Sequence, residues 1–190
     1  MLKNCLINWG QYTVYHYNTK HNLVETKKAI YKILEYSKEF YGFYIFMTIY
    51  TFLEEGKFKQ SLNYCQEAKK YAKGDGLWLY NRAFILMYDG DFNRGLSDYH
   101  EIKNNSFPME EEIVLSCILN DEKLYVVHPE KIQICYILGF LYYHKLNNLP
   151  QALKYFEEFI ALSNGREIYD VLRNSACDFL QPIKNELGIE

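Results

Sequence analysis

The sequence predicts an all-α chain built from antiparallel helix pairs. Three observations predict it. Apolar residues recur at three- and four-residue spacing over long segments, which is the helical period. No stretch alternates with a period of two between hairpin turns, as a half-buried strand would. The turn glycine Gly56 recurs at Gly90 with similar residues after it, a spacing of 34, so the helices come in repeating pairs.

Helices are expected at about 6–20, 23–37, 40–55, 58–72, 77–89, 92–104, 110–119, 130–146, 150–162 and 166–180. Ala29, Ile30, Ile33 and Leu34 mark one apolar face, Phe58, Leu62, Cys65 and Ala68 a second, and Leu149, Ala152, Leu153, Phe156 and Phe159 a third. Punctuation separates them. Glu55-Gly56-Lys57, Lys73-Gly-Asp-Gly76 and Asp89-Gly90-Asp91 are turns, and Asp91 is placed to cap the helix that follows. Pro150 suits a first helical turn, and Asn164-Gly165 a helix end. Glu110-Glu111-Glu112 opens a short helix that Asn120-Asp121 closes, and Gln181-Pro182 breaks or kinks the last one. Such short connections make consecutive helices antiparallel.

Side-chain volume repeats in step with these turns. After each turn comes a large apolar residue, Leu23, Phe58, Phe92 or Leu149, and three residues later a small one, Thr26, Ser61, Gly95 or Ala152. A small side chain there lets paired helices approach closely. One turn on are Ile30, Cys65, Tyr99 and Phe156, then Ile33, Ala68, Ile102 and Phe159. In the preceding helices Val14, Ile49, Ala83 and Gly139 hold a position of limited size, with Tyr17, Phe52, Leu86 and Tyr142 three residues on.

This pattern resembles the tetratricopeptide repeat family. The repeat-like stretches are 7–38, 41–74, 75–108 and 132–164, with an insertion at 109–131 and a cap at 165–190, all in a single domain spanning 1–190. The fourth copy, with Leu138-Gly139 and Ala152-Leu-Lys-Tyr-Phe156, is closest to the family. The first departs most, with Gly10 where the family has a Trp-like residue, and the family's terminal Pro is missing from the first, second and fourth copies. The resemblance implies an α-α superhelix, a solenoid whose last apolar face is covered by a C-terminal helix. It also implies a protein-binding scaffold whose partner lies in a concave groove lined by the first helix of each pair. Projecting that face gives Tyr15, Phe46, Tyr50, Tyr80, Phe84, Tyr88, Tyr136, Phe140 and Tyr143, with Gln11, Asn18, Glu54, Asn81, Gln133 and His144 nearby. These aromatics form either an open groove for a peptide or helix, or core covered by the insertion, the C-terminal helix or a second copy of the chain. Repeats that bind Hsp70 or Hsp90 tails clamp a carboxylate with Lys, Asn and Arg; the matching places here are Gln11, Tyr15, Met47, Leu77 and Asn81. That partner is not expected. The alternatives are a regulatory sensor of a peptide or small ligand, and a self-associating, chaperone-like adaptor that forms homodimers.

Composition sets outer bounds. The chain has 190 residues, a net charge of -3, 19 Tyr and 12 Phe. It lacks the clustered Lys and Arg that a phosphate-binding surface needs, so nucleic acid is not expected. Its longest apolar runs, 41–53 and 134–143, are short of a membrane span, and the N-terminus has no secretory h-region. A cytoplasmic protein is expected. Cys5, Cys65, Cys117, Cys135 and Cys177 form no CxxC pair, and His16, His21, His100, His128 and His144 form no HExxH motif. No metal, cofactor or catalytic activity is expected.

Overall fold

The computed structural model describes residues 23–36, 41–104, 109 and 111–189. All regular elements among these are helical. They are α1 (Leu23–Tyr36), α2 (Tyr41–Leu53), α3 (Phe58–Tyr71), α4 (Leu77–Asp89), α5 (Phe92–Asn104), α6 (Glu111–Val127), α7 (Gln133–His144) and α8 (Leu149–Ser163). A 3-10 turn (Glu167–Tyr169) then leads into α9 (Asp170–Leu187). The expected helix at 6–20 lies outside the described residues. The chain divides into two compact units, residues 1–73 and 74–190.

In the first unit α2 and α3 pack as a hairpin. Contacting residues run in opposite directions along the two helices: Tyr44 stacks on Tyr71, Cys65 donates to Thr48, Thr51 meets Ser61, and Phe52 meets Phe58. Ile30 of α1 joins Phe43 and Met47 of α2 in a buried cluster. The Thr51 and Ser61 hydroxyls, both fully buried, satisfy each other at 2.7 Å.

The second unit contains two hairpins, α4–α5 and α7–α8, with α6 and α9 packed on them. In α4–α5, Arg82 pairs with Asp98, and Ala83 and Met87 face Gly95. In α7–α8, Tyr136 meets Phe159, Gly139 meets Phe156, and Tyr142 stacks on Tyr155. Helix α9 lies against α8 and α5, with Phe179 stacked on Phe156 and Tyr136 bonded to Ser175.

The repeated volumes appear as repeated burial. Thr26, Ser61, Gly95 and Ala152 are all buried, as are Ile30, Cys65, Tyr99 and Phe156, and Ile33, Ala68, Ile102 and Phe159. A Cβ at Gly95 would lie 2.5 Å from Met87 Cγ, and one at Gly139 2.8 Å from the Phe156 ring. Both glycines mark close helix approach. The turns repeat as well. Gly56, Gly90 and Asn147, each two residues before the helix-opening Phe58, Phe92 or Leu149, have φ of 60°, 93° and 49°. Gly and Asn are the residues that enter this left-handed region most readily. The expected caps form: Asp91 accepts from the Arg94 N–H at 3.4 Å, Asn148 accepts from Gln151, and Pro150 stands in the first turn of α8.

Two expected boundaries differ. Helix α6 does not end at Asn120-Asp121 but runs to Val127. Asp121 lies on the same side as Val114 and Ile118 and is buried with them, so its carboxylate is spent on a tertiary contact and leaves the backbone helical. Helix α9 continues through Pro182 to Leu187. The ring removes one intrahelical hydrogen bond, while Phe179 and Ile183 on either side stay buried and hold the two turns together.

Candidate functional site

In the first unit Phe46 and Tyr50, one turn apart on α2, are stacked and half-buried, and Lys27 Nζ lies 4.4 Å from the Tyr50 ring centroid. Lys27 also binds Glu55 at 3.0 Å. Tyr15 lies outside the described residues.

In the second unit the expected aromatic face separates into three environments. Tyr80, Phe84 and Tyr88 follow one line along α4, but only Tyr88 is half-exposed. The Tyr80 hydroxyl donates to Asp121 of α6 at 2.5 Å. Tyr88 is held at the other end: its carbonyl accepts from Lys131 and Gln133, and Lys131 Nζ sits over its ring. Tyr136 and Phe140 of α7 are fully buried, Tyr136 against Phe156, Phe159 and Ser175, and Phe140 against Tyr99. They present no surface to a partner. Tyr143 is half-exposed and meets Phe179 of α9.

Helix α6, placed in an insertion by the sequence, makes the polar contacts that cover this region. Asp121 is buried, and burial pushes its carboxyl up to about 8. Glu122 accepts from the hydroxyls of Tyr142 and Tyr155, and Glu158 of α8 accepts from Tyr125. Burial also pushes the Cys117 and Cys135 thiols up to about 12, so both are protonated and poor nucleophiles. The sequence signal for this helix was the run Val114, Ile118, Asp121, Tyr125, a helical stripe with a carboxylate in a core position.

The outer side of α6 is apolar too. Leu115, Leu119 and Val126 are 43%, 56% and 80% exposed. At 3.6 residues per turn they fall within about 40° of one another, with exposed Glu112 and Lys123 beside them.

A cleft of about 490 Å³ opens between α5, α7 and α9. His100 and Lys103 stand on its α5 wall, Tyr143 on α7, and Asp178, Phe179 and Pro182 on α9. Lys103 Nζ lies 5.4 Å from the Phe179 ring centroid. Beneath these residues His144 contacts Phe140, Tyr143 and Phe179, and its Nε2 has no hydrogen-bond partner among the described residues. Burial, with Lys103, Lys145 and His100 nearby, pushes its pKa down to about 3. Of the other polar residues expected near the groove, Glu54 is exposed, Gln133 is buried and bonded to Tyr88 and Tyr169, and Asn81 is buried with Nδ2 unpartnered.

Among the described residues no group of three or more His, Cys, Asp or Glu is arranged to hold a metal ion, and no helix is long and apolar enough to cross a membrane. No family model matches the chain, and no curated protein matches it either.

Proposed function

We propose that the chain is a tetratricopeptide-like helical-repeat scaffold, without catalytic activity, that binds an amphipathic helix of a partner protein. The observation that carries this reading is the outer stripe of α6, Leu115, Leu119 and Val126. Solvated helices do not normally keep three large apolar residues in a line. Covering the exposed part of such side chains is worth about 1 kcal/mol or more each, and a partner helix does so with residues at the same spacing. Glu112 and Lys123 supply a polar rim of both signs. The recurring burial of small and large residues in successive hairpins supports the solenoid architecture that this role requires. Recognition then belongs to the inserted helix, which takes the place of the aromatic groove by covering Tyr80.

The test is affinity capture with the purified chain and with a Leu119→Lys, Val126→Lys variant, followed by reciprocal capture of any protein found. One partner retained by the native chain in both directions and lost by the variant supports the reading. A partner that the variant keeps moves the surface off α6. The same stripe favours self-association as a second reading. In that case sedimentation shows a concentration-dependent dimer that the double variant abolishes.

A further inference from the structure

The cleft between α5 and α9 carries charges of both signs that the fold does not use. Lys103 and Asp178 line it from opposite walls, yet they form no ion pair with each other or with another described residue. Lys103 instead lies over the Phe179 ring. His100, one turn before Lys103, adds an imidazole to the same wall. Asp178 lines the cleft from α9, so that wall offers a carboxylate to a donor. Phe179 and Tyr143 lie between the two walls as an apolar floor.

A simple anion here would meet Asp178, and a simple cation would meet Lys103. A ligand with both charges satisfies both walls. The volume, about 490 Å³, falls in the ordinary range for small-ligand sites. We propose that this cleft binds a small zwitterion of dipeptide size. Its ammonium rests on the Asp178 carboxylate, its carboxylate on Lys103 and His100, and its apolar body on Phe179 and Tyr143. This ligand site is separate from the α6 stripe and does not depend on it.

Calorimetric titration tests this with alanyl-phenylalanine, its N-acetyl and C-amide forms, and free phenylalanine. The free dipeptide binds, and blocking either end weakens it roughly tenfold, the loss of one charge-assisted contact. Asp178→Asn removes most of the acetylation penalty and leaves the amidation penalty, and Lys103→Gln removes most of the amidation penalty and leaves the acetylation penalty. Both positions are exposed, and circular dichroism confirms that each variant is folded. No heat at millimolar dipeptide, equal binding of blocked and free forms, or penalties unchanged in the two charge variants would each overturn the proposal. Phenylalanine binding as tightly as the dipeptide would overturn the assigned size.

Discussion

The hydroxyl of Tyr80 on α4 donates a hydrogen bond to Oδ2 of Asp121 on α6, and both residues are buried. Burial pushes the Asp121 carboxyl up to about 8, with Glu122 raising it further and the Tyr80 bond acting the other way. Burial pushes the Tyr80 hydroxyl well above its ordinary range, so it remains the donor. An unfolded Asp titrates near ~3.9. Asp121 therefore contributes stability in full below that value, and the contribution is lost as pH rises to about 8. Asp121→Asn keeps an acceptor for Tyr80 and has no charge to bury. The variant gains several kcal/mol over the native chain at pH 8 and nothing at pH 4. Urea unfolding at a series of pH values measures the difference.

His144 has the opposite sign. Its folded pKa, about 3, lies below the ~6.5 of a free imidazole. Its contribution to stability is present above the unfolded value and lost as pH falls from there toward 3. The ring sits among Phe140, Tyr143 and Phe179 with Nε2 unpartnered, so His144→Phe sacrifices no hydrogen bond at that nitrogen. The variant should match the native chain at pH 8 and exceed its melting midpoint at pH 5. In the native chain the His144 imidazole resonances should stay those of the neutral ring down to pH 4.5.

The two close-approach glycines should respond differently to alanine. In both helices the substitution gains about 1 kcal/mol of propensity. At Gly95 the new methyl meets Met87, a side chain with freedom to shift, and the net change should be within about 1 kcal/mol. At Gly139 it meets the fully buried Phe156 ring, and the net loss should be about 2 kcal/mol. Phe156→Leu added to Gly139→Ala should cost less than the two single changes together. Denaturant midpoints separate these outcomes.

Arg82 grips Asp98 through two hydrogen bonds, Nε to Oδ2 at 2.7 Å and an Nη to Oδ1 at 2.6 Å, with side chains 17% and 9% exposed. The guanidinium also lies 5.2 Å from the Trp78 ring centroid. Asp98→Ala leaves Arg82 without its carboxylate and should cost about 3 kcal/mol. Arg82→Lys keeps the charge but not the fork, so it should also destabilise, by about 1–2 kcal/mol. Replacing both by Leu should cost less than Asp98→Ala alone. Urea unfolding of the variants checks the order.

Among the described residues the sequence by itself determined where the helices lie, apart from the ends of α6 and α9, and it determined their turns and the register of the hairpins. Those features depend on residues close in the chain: an apolar period, a left-handed residue two places before Phe58, Phe92 or Leu149, and small residues such as Gly95 and Ala152 where helices of one pair meet. What lies over a hairpin depends on residues far apart, and only the tertiary structure decided it. Asp121 read locally as a helix end, because a carboxylate beside Asn120 commonly closes a helix. It is a core residue because Tyr80, 41 positions away, supplies the hydrogen bond that makes its burial tolerable. Tyr136 and Phe140 shared a helical face with Tyr143 in sequence, yet α5, α8 and α9 bury the first two and leave the third beside the cleft. A helical period states that a face is apolar. Which neighbour covers it is decided by the packing of helices that meet only in the folded chain.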